Sequence, residues 1–177
     1  MTVKGHVLLA SAFAYPIIDY VAMDYGNSEA LAIYIAIIFG SLLPDIDEPN
    51  SYIGNKALLV SYGLKIIGVR HRTITHWLIT PVLLSAFGFS LDNFYISAIL
   101  YAVAFGILLH DVGDMLTKGG IYGFFFPFFS NTKIALLPRV LRFKTFSIQE
   151  YIIVFFLLLL NAYIYFKLIY NTRGFLF

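Results

Sequence analysis

The sequence has no cysteine and little charge. Only 12% of its 177 residues are Asp, Glu, Lys or Arg, whereas 60% are hydrophobic. A soluble domain normally has about 25% charged residues, so this chain lacks the charge that a fully hydrated surface needs. The absence of cysteine excludes disulfides, thiolate nucleophiles and cysteine-ligated metal sites. The net charge of +2 is too small to indicate a nucleic-acid partner. The composition therefore predicts a membrane protein in which His, Asp or Glu holds any metal.

Long apolar runs are the main feature of the chain. A bilayer core requires about 20 mostly apolar residues per helix, and five segments meet or approach this length: 6–23, 29–43, 77–91, 94–109 and 151–170. They show no period-two alternation, so they indicate helices rather than barrel strands. We predict an all-α polytopic membrane protein with about five transmembrane helices. Without a repeat or a long polar linker, residues 1–177 form one integral-membrane domain, whose last transmembrane helix lies at about 149–171.

Two further apolar stretches do not fit a simple span. Residues 56–69 are interrupted by Lys65, and the aromatic run 121–129 is too short to cross a bilayer. Aromatic side chains favour the headgroup boundary, so we interpret both stretches as interfacial or re-entrant elements. A spanning helix at 56–69 would separate the polar motifs described below. The apolar N-terminal run resembles a secretory signal, but its continuation to Met23 favours a transmembrane helix.

This arrangement of five helices places every histidine and every motif aspartate on the same side of the membrane. The same side collects ten of the twelve Lys and Arg residues, while Lys167 and Arg173 lie on the other. Cytoplasmic loops carry an excess of positive charge. The sequence therefore predicts a multi-pass protein of the inner (plasma) membrane, with its N-terminus and its polar cluster in the cytoplasm.

The polar cluster has the composition of a metal site. Its candidate ligands are His6, Asp45, Asp47, His71, His76, His110 and Asp114. His110 and Asp114 are four residues apart and share a helix face, whereas Asp45 and Asp47 suit an extended turn that presents two carboxylates. Imidazole and carboxylate ligands suit divalent metals, so we expect two or more ions, with zinc preferred and manganese as the alternative. We expect His71 in a loop and His76 in the first turn of the third helix.

Three residues are candidates for catalytic roles. Arg72 could clamp a phosphate, and Asp47 or Asp111 could act as general base. Asp111 could instead orient His110 or serve a second ion. The alternative is structural: interfacial histidines are more often hydrogen-bonded groups than ligands, and Asp or Arg at helix ends commonly caps the helix or anchors it in the headgroup region. We interpret Asp19 as structural.

The motifs resemble those of the YdjM-type family of bacterial and archaeal membrane-bound metal-dependent hydrolases. The matching pieces are Gly5-His6, Gly-Ser-Leu-Leu-Pro-Asp-Ile-Asp at 40–47, His-Arg-Thr-Ile-Thr-His at 71–76 and Leu-Leu-His-Asp-Val-Gly-Asp-Met-Leu-Thr at 108–117, followed by Gly120, Gly123 and Pro127-Phe128. The resemblance covers about residues 1–130. It implies functional roles for Asp45, Asp47, His71, His76, His110 and Asp114, together with His6; Asp111 stands where the family pattern has an apolar residue. The family is also similar, in its His and Asp order, to zinc-dependent phospholipase C.

These observations favour a metal-dependent hydrolase that acts on a phosphoester or a lipid headgroup at the cytoplasmic leaflet. Its partner would be a membrane lipid or a lipid-linked substrate. A second interpretation is a non-catalytic membrane protein with a structural or sensory metal site. A metal transporter is less favoured, because carriers place ionisable groups near the bilayer midplane. An intramembrane zinc protease is disfavoured, because no His-Glu-x-x-His motif occurs.

Overall fold

The apolar segments of the sequence form helices. A computed structural model describes residues 1–129 and 132–174, with side chains described as far as residue 168. The α-helices in this part of the chain are α1 (Val3–Asp24), α2 (Asn27–Gly40), α3 (Tyr52–Lys56), α4 (Leu58–Ile66), α5 (Ile79–Phe89), α6 (Phe94–Met115) and α7 (Ile148–Gly174). Two 3₁₀ turns cover Leu43–Asp47 and Ile74–His76. The predicted all-α membrane fold is confirmed.

The helices differ in how far they could cross a bilayer. By length and composition α1, α6 and α7 could each span it, whereas α2 and α5 are shorter apolar helices of 14 and 11 residues. The segment predicted at 29–43 ends earlier, at Gly40, and gives way to the first 3₁₀ turn. Pro44 explains part of this change, because proline has no N–H and its ring clashes with a preceding helical turn. Helix α6 instead continues six residues beyond Leu109.

The two ambiguous stretches form short elements. Helix α4 has nine residues, a length of about 14 Å, which is too short to cross a bilayer. Residues 121–129 begin with strand β1 (Ile121–Tyr122), which pairs antiparallel with β2 (Lys133–Ile134), and continue as turns. Neither stretch is a spanning helix, so the polar motifs before and after α4 remain on one side of the bundle. Their location at the membrane interface stays a prediction.

Glycine allows α2 and α6 to pack with their backbones in contact. A Cβ atom on Gly106 would lie 2.1 Å from the carbonyl oxygen of Ile37, and one on Gly40 would lie 2.2 Å from that of Val103. Small residues at membrane helix interfaces permit this close approach. Gly106 is one turn before His110 on α6, and Gly40 precedes Ser41. The close packing therefore brings the end of α2 against the histidine.

Helix α7 is fastened to the beginning of α1. The buried Glu150 accepts the backbone N–H of Thr2 at 2.6 Å with one carboxylate oxygen and that of Phe146 at 2.7 Å with the other. Deeper in the bundle, the side-chain amide of Asn161 donates to the carbonyl oxygen of Leu8 at 3.0 Å. These contacts fix the start of α1, and with it His6, against α7.

Candidate metal centre

Four parts of the chain meet at one end of the bundle. The start of α1 supplies His6, and the first 3₁₀ turn supplies Asp45 and Asp47. The segment from 71 to the second 3₁₀ turn supplies His71, Arg72 and His76, and the last turns of α6 supply His110, Asp111 and Asp114. The structure therefore gathers residues that are more than a hundred positions apart in the sequence.

One set of potential ligand atoms is almost fully enclosed. We call His6, His110 and Asp114 the buried group, since none is more than 1% exposed. His6 Nε2 lies 3.4 Å from Asp114 Oδ1, and His110 Nε2 lies 3.8 Å from Asp114 Oδ2. The two imidazole rings are parallel, with their centroids 3.7 Å apart. One ligand atom from each residue lies within 4.8 Å of the others, a spacing that a single metal ion could bridge.

A second set shares His110 and lies nearer the surface. We call Asp45, His76 and His110 the open group, because Asp45 is only partly buried. His110 Nε2 lies 3.6 Å from Asp45 Oδ1, and His76 Nε2 lies 4.0 Å from the same oxygen. Asp114 Oδ2 is 3.7 Å from His76 Nε2. The two groups are therefore adjacent and could hold two ions.

The surroundings of His110 define which of its nitrogens is free. Its Nδ1 lies 2.7 Å from the backbone carbonyl oxygen of Ser41. A carbonyl oxygen can only accept, so Nδ1 carries the proton and donates it. In a neutral imidazole the other nitrogen then has a free lone pair, and Nε2 points at both groups. A backbone carbonyl in this position is the usual support of a metal-binding histidine.

Thr75 determines which ring nitrogen of His76 carries the proton. The Thr75 hydroxyl has a single hydrogen, which it donates to Asp47 Oδ2 at 2.6 Å. It must therefore accept from His76 Nδ1, which lies 2.9 Å away. This arrangement leaves the lone pair of His76 on Nε2, the nitrogen of the open group. The chain Asp47, Thr75, His76 thus selects the tautomer suited to metal binding.

The free nitrogens are also unpartnered. Within the described residues, the buried side-chain atoms that lack a hydrogen bond include both ring nitrogens of His6 and the Nε2 atoms of His76 and His110. Each buried polar atom left unsatisfied costs about 1–3 kcal/mol. Four such nitrogens in one place would be costly for a merely structural cluster. The donor set, made of imidazole and carboxylate, fits a divalent metal.

Arg72 forms an ion pair with Asp114, the carboxylate of the buried group. Its Nε lies 2.8 Å from Asp114 Oδ2 and its Nη2 lies 2.9 Å from Asp114 Oδ1. The α-amino group of Met1 also contacts Oδ1. Gly119 makes room for the guanidinium, since a Cβ there would lie 1.7 Å from Nη1. Asp114 is therefore held as a charged carboxylate.

The protonation of the loop residues follows from burial and charge. Burial lowers the pKa of His76 well below its ordinary value, and the nearby His110 adds to this effect, so His76 is neutral. Burial also disfavours the charged form of His71, but the hydrogen bond and negative charge of Asp47 outweigh it and raise the pKa of His71. Burial raises the pKa of Asp45. Neutral imidazole is the form of histidine that binds metals.

The open group faces a cleft that connects it to the surface. This site cleft has a volume of about 490 Å³ and is lined by Asp45, His71 and Arg72, together with Thr145 and Phe146. The guanidinium that pairs with Asp114 thus also borders the space where a ligand could enter. The prediction that Arg72 clamps phosphate stays a prediction.

The structure separates the predicted site residues into three classes. Five of the predicted ligands have atoms in the two groups: His6, Asp45, His76, His110 and Asp114. Asp47 and His71 belong to neither group and instead bond to each other, with His71 Nδ1 donating to Asp47 Oδ1 at 2.8 Å. The other Asp47 oxygen accepts from Thr75 and from the backbone N–H of Arg72. Asp111 is buried beside the cluster, and neither of its carboxylate oxygens has a hydrogen-bond partner among the residues that the structure describes.

One local prediction was wrong, and three supporting residues were missed. His76 does not lie in the first turn of the third transmembrane segment: it ends a 3₁₀ turn, and α5 begins three residues later. The bonds of Thr75 to Asp47 and His76, and of the Leu78 N–H to Phe124, replace helical hydrogen bonds there. Ser41, Thr75 and Glu150 were not singled out. Thr75 lies inside the 71–76 motif, and Glu150 is a lone acid in the first turn of the apolar helix α7; these are the signals that could have identified Thr75 and Glu150.

Comparison with known proteins identifies the family of the chain. The sequence matches the family described as YdjM inner membrane protein over residues 1–174. It is 32% identical over 131 residues to Inner membrane protein YdjM of Escherichia coli (strain K12), which covers 68% of this chain and 63% of the relative, and the same figures hold for Inner membrane protein YdjM of Shigella flexneri. The chain thus spans less than two thirds of the length of these relatives. No solved structure matches. The chain belongs to the YdjM family of inner membrane proteins.

Proposed function

We propose that the protein is a membrane-embedded, metal-dependent hydrolase of a phosphoester or lipid headgroup at the cytoplasmic leaflet. The observation that supports this proposal is the set of four buried histidine ring nitrogens without hydrogen bonds, which belong to two overlapping groups of potential ligands. Zinc is the preferred ion and manganese the alternative, because the ligands are imidazole and carboxylate without thiolate. The two groups support a site for two ions.

The difference between the two groups supports a catalytic role. Structural metal sites are closed, whereas catalytic sites keep a position open for water or substrate. The buried group is enclosed, but Asp45 of the open group lines the site cleft. A substrate entering this cleft would meet Arg72 and His71 before it reached the open group. The guanidinium could contribute hydrogen bonds to a phosphate while it remains paired with Asp114.

The chain supplies distinct roles for its two candidate bases. A divalent ion at such a site supplies Lewis acidity and lowers the pKa of water to near 7. Both oxygens of Asp47 already accept hydrogen bonds from His71, Thr75 and Arg72. Asp47 is therefore suited to orienting His71 and His76. Within the described part of the chain, both carboxylate oxygens of Asp111 lack a hydrogen bond, which favours Asp111 over Asp47 as the group that accepts a proton.

The proposed location follows from charge and from the relatives. In the topology predicted from the sequence, ten of the twelve Lys and Arg residues share the side of the candidate centre, and an excess of positive charge is typical of the cytoplasmic side. The relatives are named inner membrane proteins. Together these observations support a substrate drawn from the inner leaflet, a membrane lipid or a lipid-linked molecule.

A structural metal site is the second candidate function. It is favoured by the near-complete enclosure of His6, His110 and Asp114, which resembles a closed structural site more than a catalytic one. A metal at the buried group would join α1 to α6 without any reaction. The two candidates differ in whether metal-loaded protein releases a headgroup.

The test combines metal analysis with a headgroup-release assay. Detergent-purified wild type is compared with His110→Ala and Asp45→Asn, and with Asp19→Asn as a carboxylate control on the exposed surface of α1. We expect one to two equivalents of zinc or manganese in wild type and in the control, and less in the two site variants. The rate at which water-soluble phosphorylated headgroup is released from phospholipid vesicles should rise and fall with the metal content of the variants. Metal without release would favour the structural candidate, and a wild type that binds no divalent metal after reconstitution would refute both.

A further inference from the structure

Two neighbouring depressions lie beside the site cleft and differ in character. The first, the basic cleft, has a volume of about 340 Å³ and is lined by Lys65, Arg70 and His71, with Asp47 and Glu48. The second, the apolar groove, has a volume of about 300 Å³ and is lined by Ile67, Ile74 and Trp77. Gly68, Val69 and Arg70 border both, so the two depressions meet along one stretch of chain. His71 also lines the site cleft, so the basic cleft borders the candidate metal centre.

The charges of the basic cleft are available to a ligand. Its two carboxylates already have partners, since Asp47 accepts from His71 and Thr75, and Glu48 accepts from the backbone and side-chain amides of Asn50. By contrast, over residues 1–129 and 132–168, neither Lys65 nor Arg70 lies within ion-pairing distance of a carboxylate. Asp47 and Glu48 keep their negative charge, but their hydrogen bonds hold them to other groups, whereas Lys65 and Arg70 are without an ion-pair partner in the described part of the chain and can pair with an anionic ligand.

The flanking segment indicates where that ligand comes from. Leu59 and Ile66 on α4 are 92% and 84% exposed, and Ile67 directly after it is 76% exposed. In a chain of membrane helices, such side chains are stable when they contact acyl chains rather than water. A short helix with an apolar face beside basic residues is typical of a helix that lies in the plane of the interface. A lipid of the same leaflet could therefore enter the groove laterally.

We propose that the basic cleft and the apolar groove together bind one anionic phospholipid, a proposal that deepens the proposed function and rests on it for the role of the site cleft. The phosphate of the lipid pairs with Lys65 and Arg70, and one acyl chain lies along Ile67, Ile74 and Trp77. The shared border at Gly68–Arg70 corresponds to the junction between headgroup and chain. This places the headgroup next to His71, at the edge of the site cleft. The substrate class is thus an anionic lipid rather than a zwitterionic one.

Trp77 is the only tryptophan of the sequence, so its fluorescence reports on the apolar groove alone. The experiment titrates phosphatidate with brominated acyl chains, which quench tryptophan on contact, into the full-length protein in detergent with a chelator. Phosphatidylcholine with the same brominated chains is the zwitterionic comparison. We expect saturable quenching by phosphatidate at a mole fraction about tenfold or more below that needed for phosphatidylcholine, because only phosphatidate has a net negative charge that Lys65 and Arg70 can pair with.

Charge-removing variants test whether Lys65 and Arg70 cause the preference for phosphatidate. Lys65→Gln with Arg70→Gln should remove the preference for phosphatidate, whereas Arg139→Gln with Lys144→Gln removes the same charge from exposed positions that line neither depression and should keep it. Circular dichroism checks that both double variants are folded. Equal quenching by the two lipids in wild type, or an unchanged preference in the Lys65 and Arg70 variant, would overturn the proposal.

Two further comparisons distinguish a lipid site from a soluble phosphate site, and the lipid proposal from the hydrolase proposal. If glycerol 3-phosphate at comparable concentration displaced the quenching lipid, the cleft would be a soluble phosphate site and the lipid assignment would be wrong. Because the titration uses metal-free protein and no turnover, it also stands apart from the hydrolase test. Selective quenching without hydrolysis would support the lipid site and count against the enzyme. Hydrolysis without selective quenching would support the enzyme and count against the lipid site.

Discussion

His110 Nδ1 donates to the carbonyl oxygen of Ser41 over 2.7 Å, and this bond joins the end of α2 to the last turns of α6. It fixes the orientation of the one imidazole that both ligand groups share. The bond is possible because Gly106 and Gly40 let the two helices touch. The geometry of the candidate centre thus depends on residues that have no side chain to contribute.

Gly106→Ala should destabilise the protein and disturb the centre. The new methyl group would lie 2.1 Å from the Ile37 carbonyl oxygen, so α2 and α6 must move apart. Overpacking of this kind costs about 1–3 kcal/mol. Thermal unfolding in detergent should show a fall of several degrees, and metal content should fall with it. Gly63→Ala on α4 is the matched control, because no atom lies within 4 Å of its added Cβ; a similar loss there would contradict this explanation.

Thr75→Val should weaken metal binding without removing any ligand atom. Valine has the same shape but cannot accept from His76 Nδ1 or donate to Asp47. Loss of a group that orients a ligand typically costs 10–100-fold in metal affinity. Competition with a zinc indicator would measure the change. Thr75→Ser keeps the hydroxyl and should retain most of the affinity; equal weakening in both variants would count against the tautomer argument.

Glu150→Gln should loosen the N-terminal end of α1. The carboxylate accepts two backbone N–H groups, whereas the amide can accept only one and presents its own N–H to the other. A buried donor left without a partner costs about 1–3 kcal/mol. Hydrogen exchange at residues 2–6 should become faster, and the unfolding temperature should fall. Glu29→Gln changes a half-buried acid in the first turn of α2 that accepts a hydrogen bond from the Ser28 hydroxyl, and it should leave both unchanged.

The contribution of His71 to stability should depend on pH with a definite sign. Its pKa in the folded protein is raised by Asp47 above the ordinary value of 6.5. The stabilisation is therefore fully present below pH 6.5 and is lost as the pH rises through the raised value. In protein kept metal-free by a chelator, His71→Gln should lower the unfolding temperature more at pH 5.5 than at pH 9. A difference that grew with pH would show that the Asp47 contact does not form as described.

Much of the architecture can be predicted because the membrane restricts the choices. Apolar runs must become helices, and successive helices must alternate in direction, which is why His6, Asp45, His76 and His110 meet despite their separation. Local geometry is less accessible. Nothing in the helical period indicates that Thr75 would direct His76 into a 3₁₀ turn, since that outcome depends on Asp47, 28 residues earlier.

Residues that act through their backbone are the hardest to foresee. Ser41 supports His110 with its carbonyl oxygen, which every residue type possesses, so its identity carries no signal. The different roles of the two aspartates in the first 3₁₀ turn are equally hard to predict. Asp45 and Asp47 are alike in sequence, and only the position of His71 and Thr75 makes one of them part of the open group and the other a support.

The bond between Glu150 and Thr2 has an evolutionary consequence. Helix α7 carries none of the motifs on which the family resemblance rests, yet it holds the segment that leads to His6. Substitutions at the α1–α7 contact can therefore shift one ligand relative to the others while every ligand stays in place. A lineage could in this way change the geometry of the candidate centre through a helix that contributes none of its ligands.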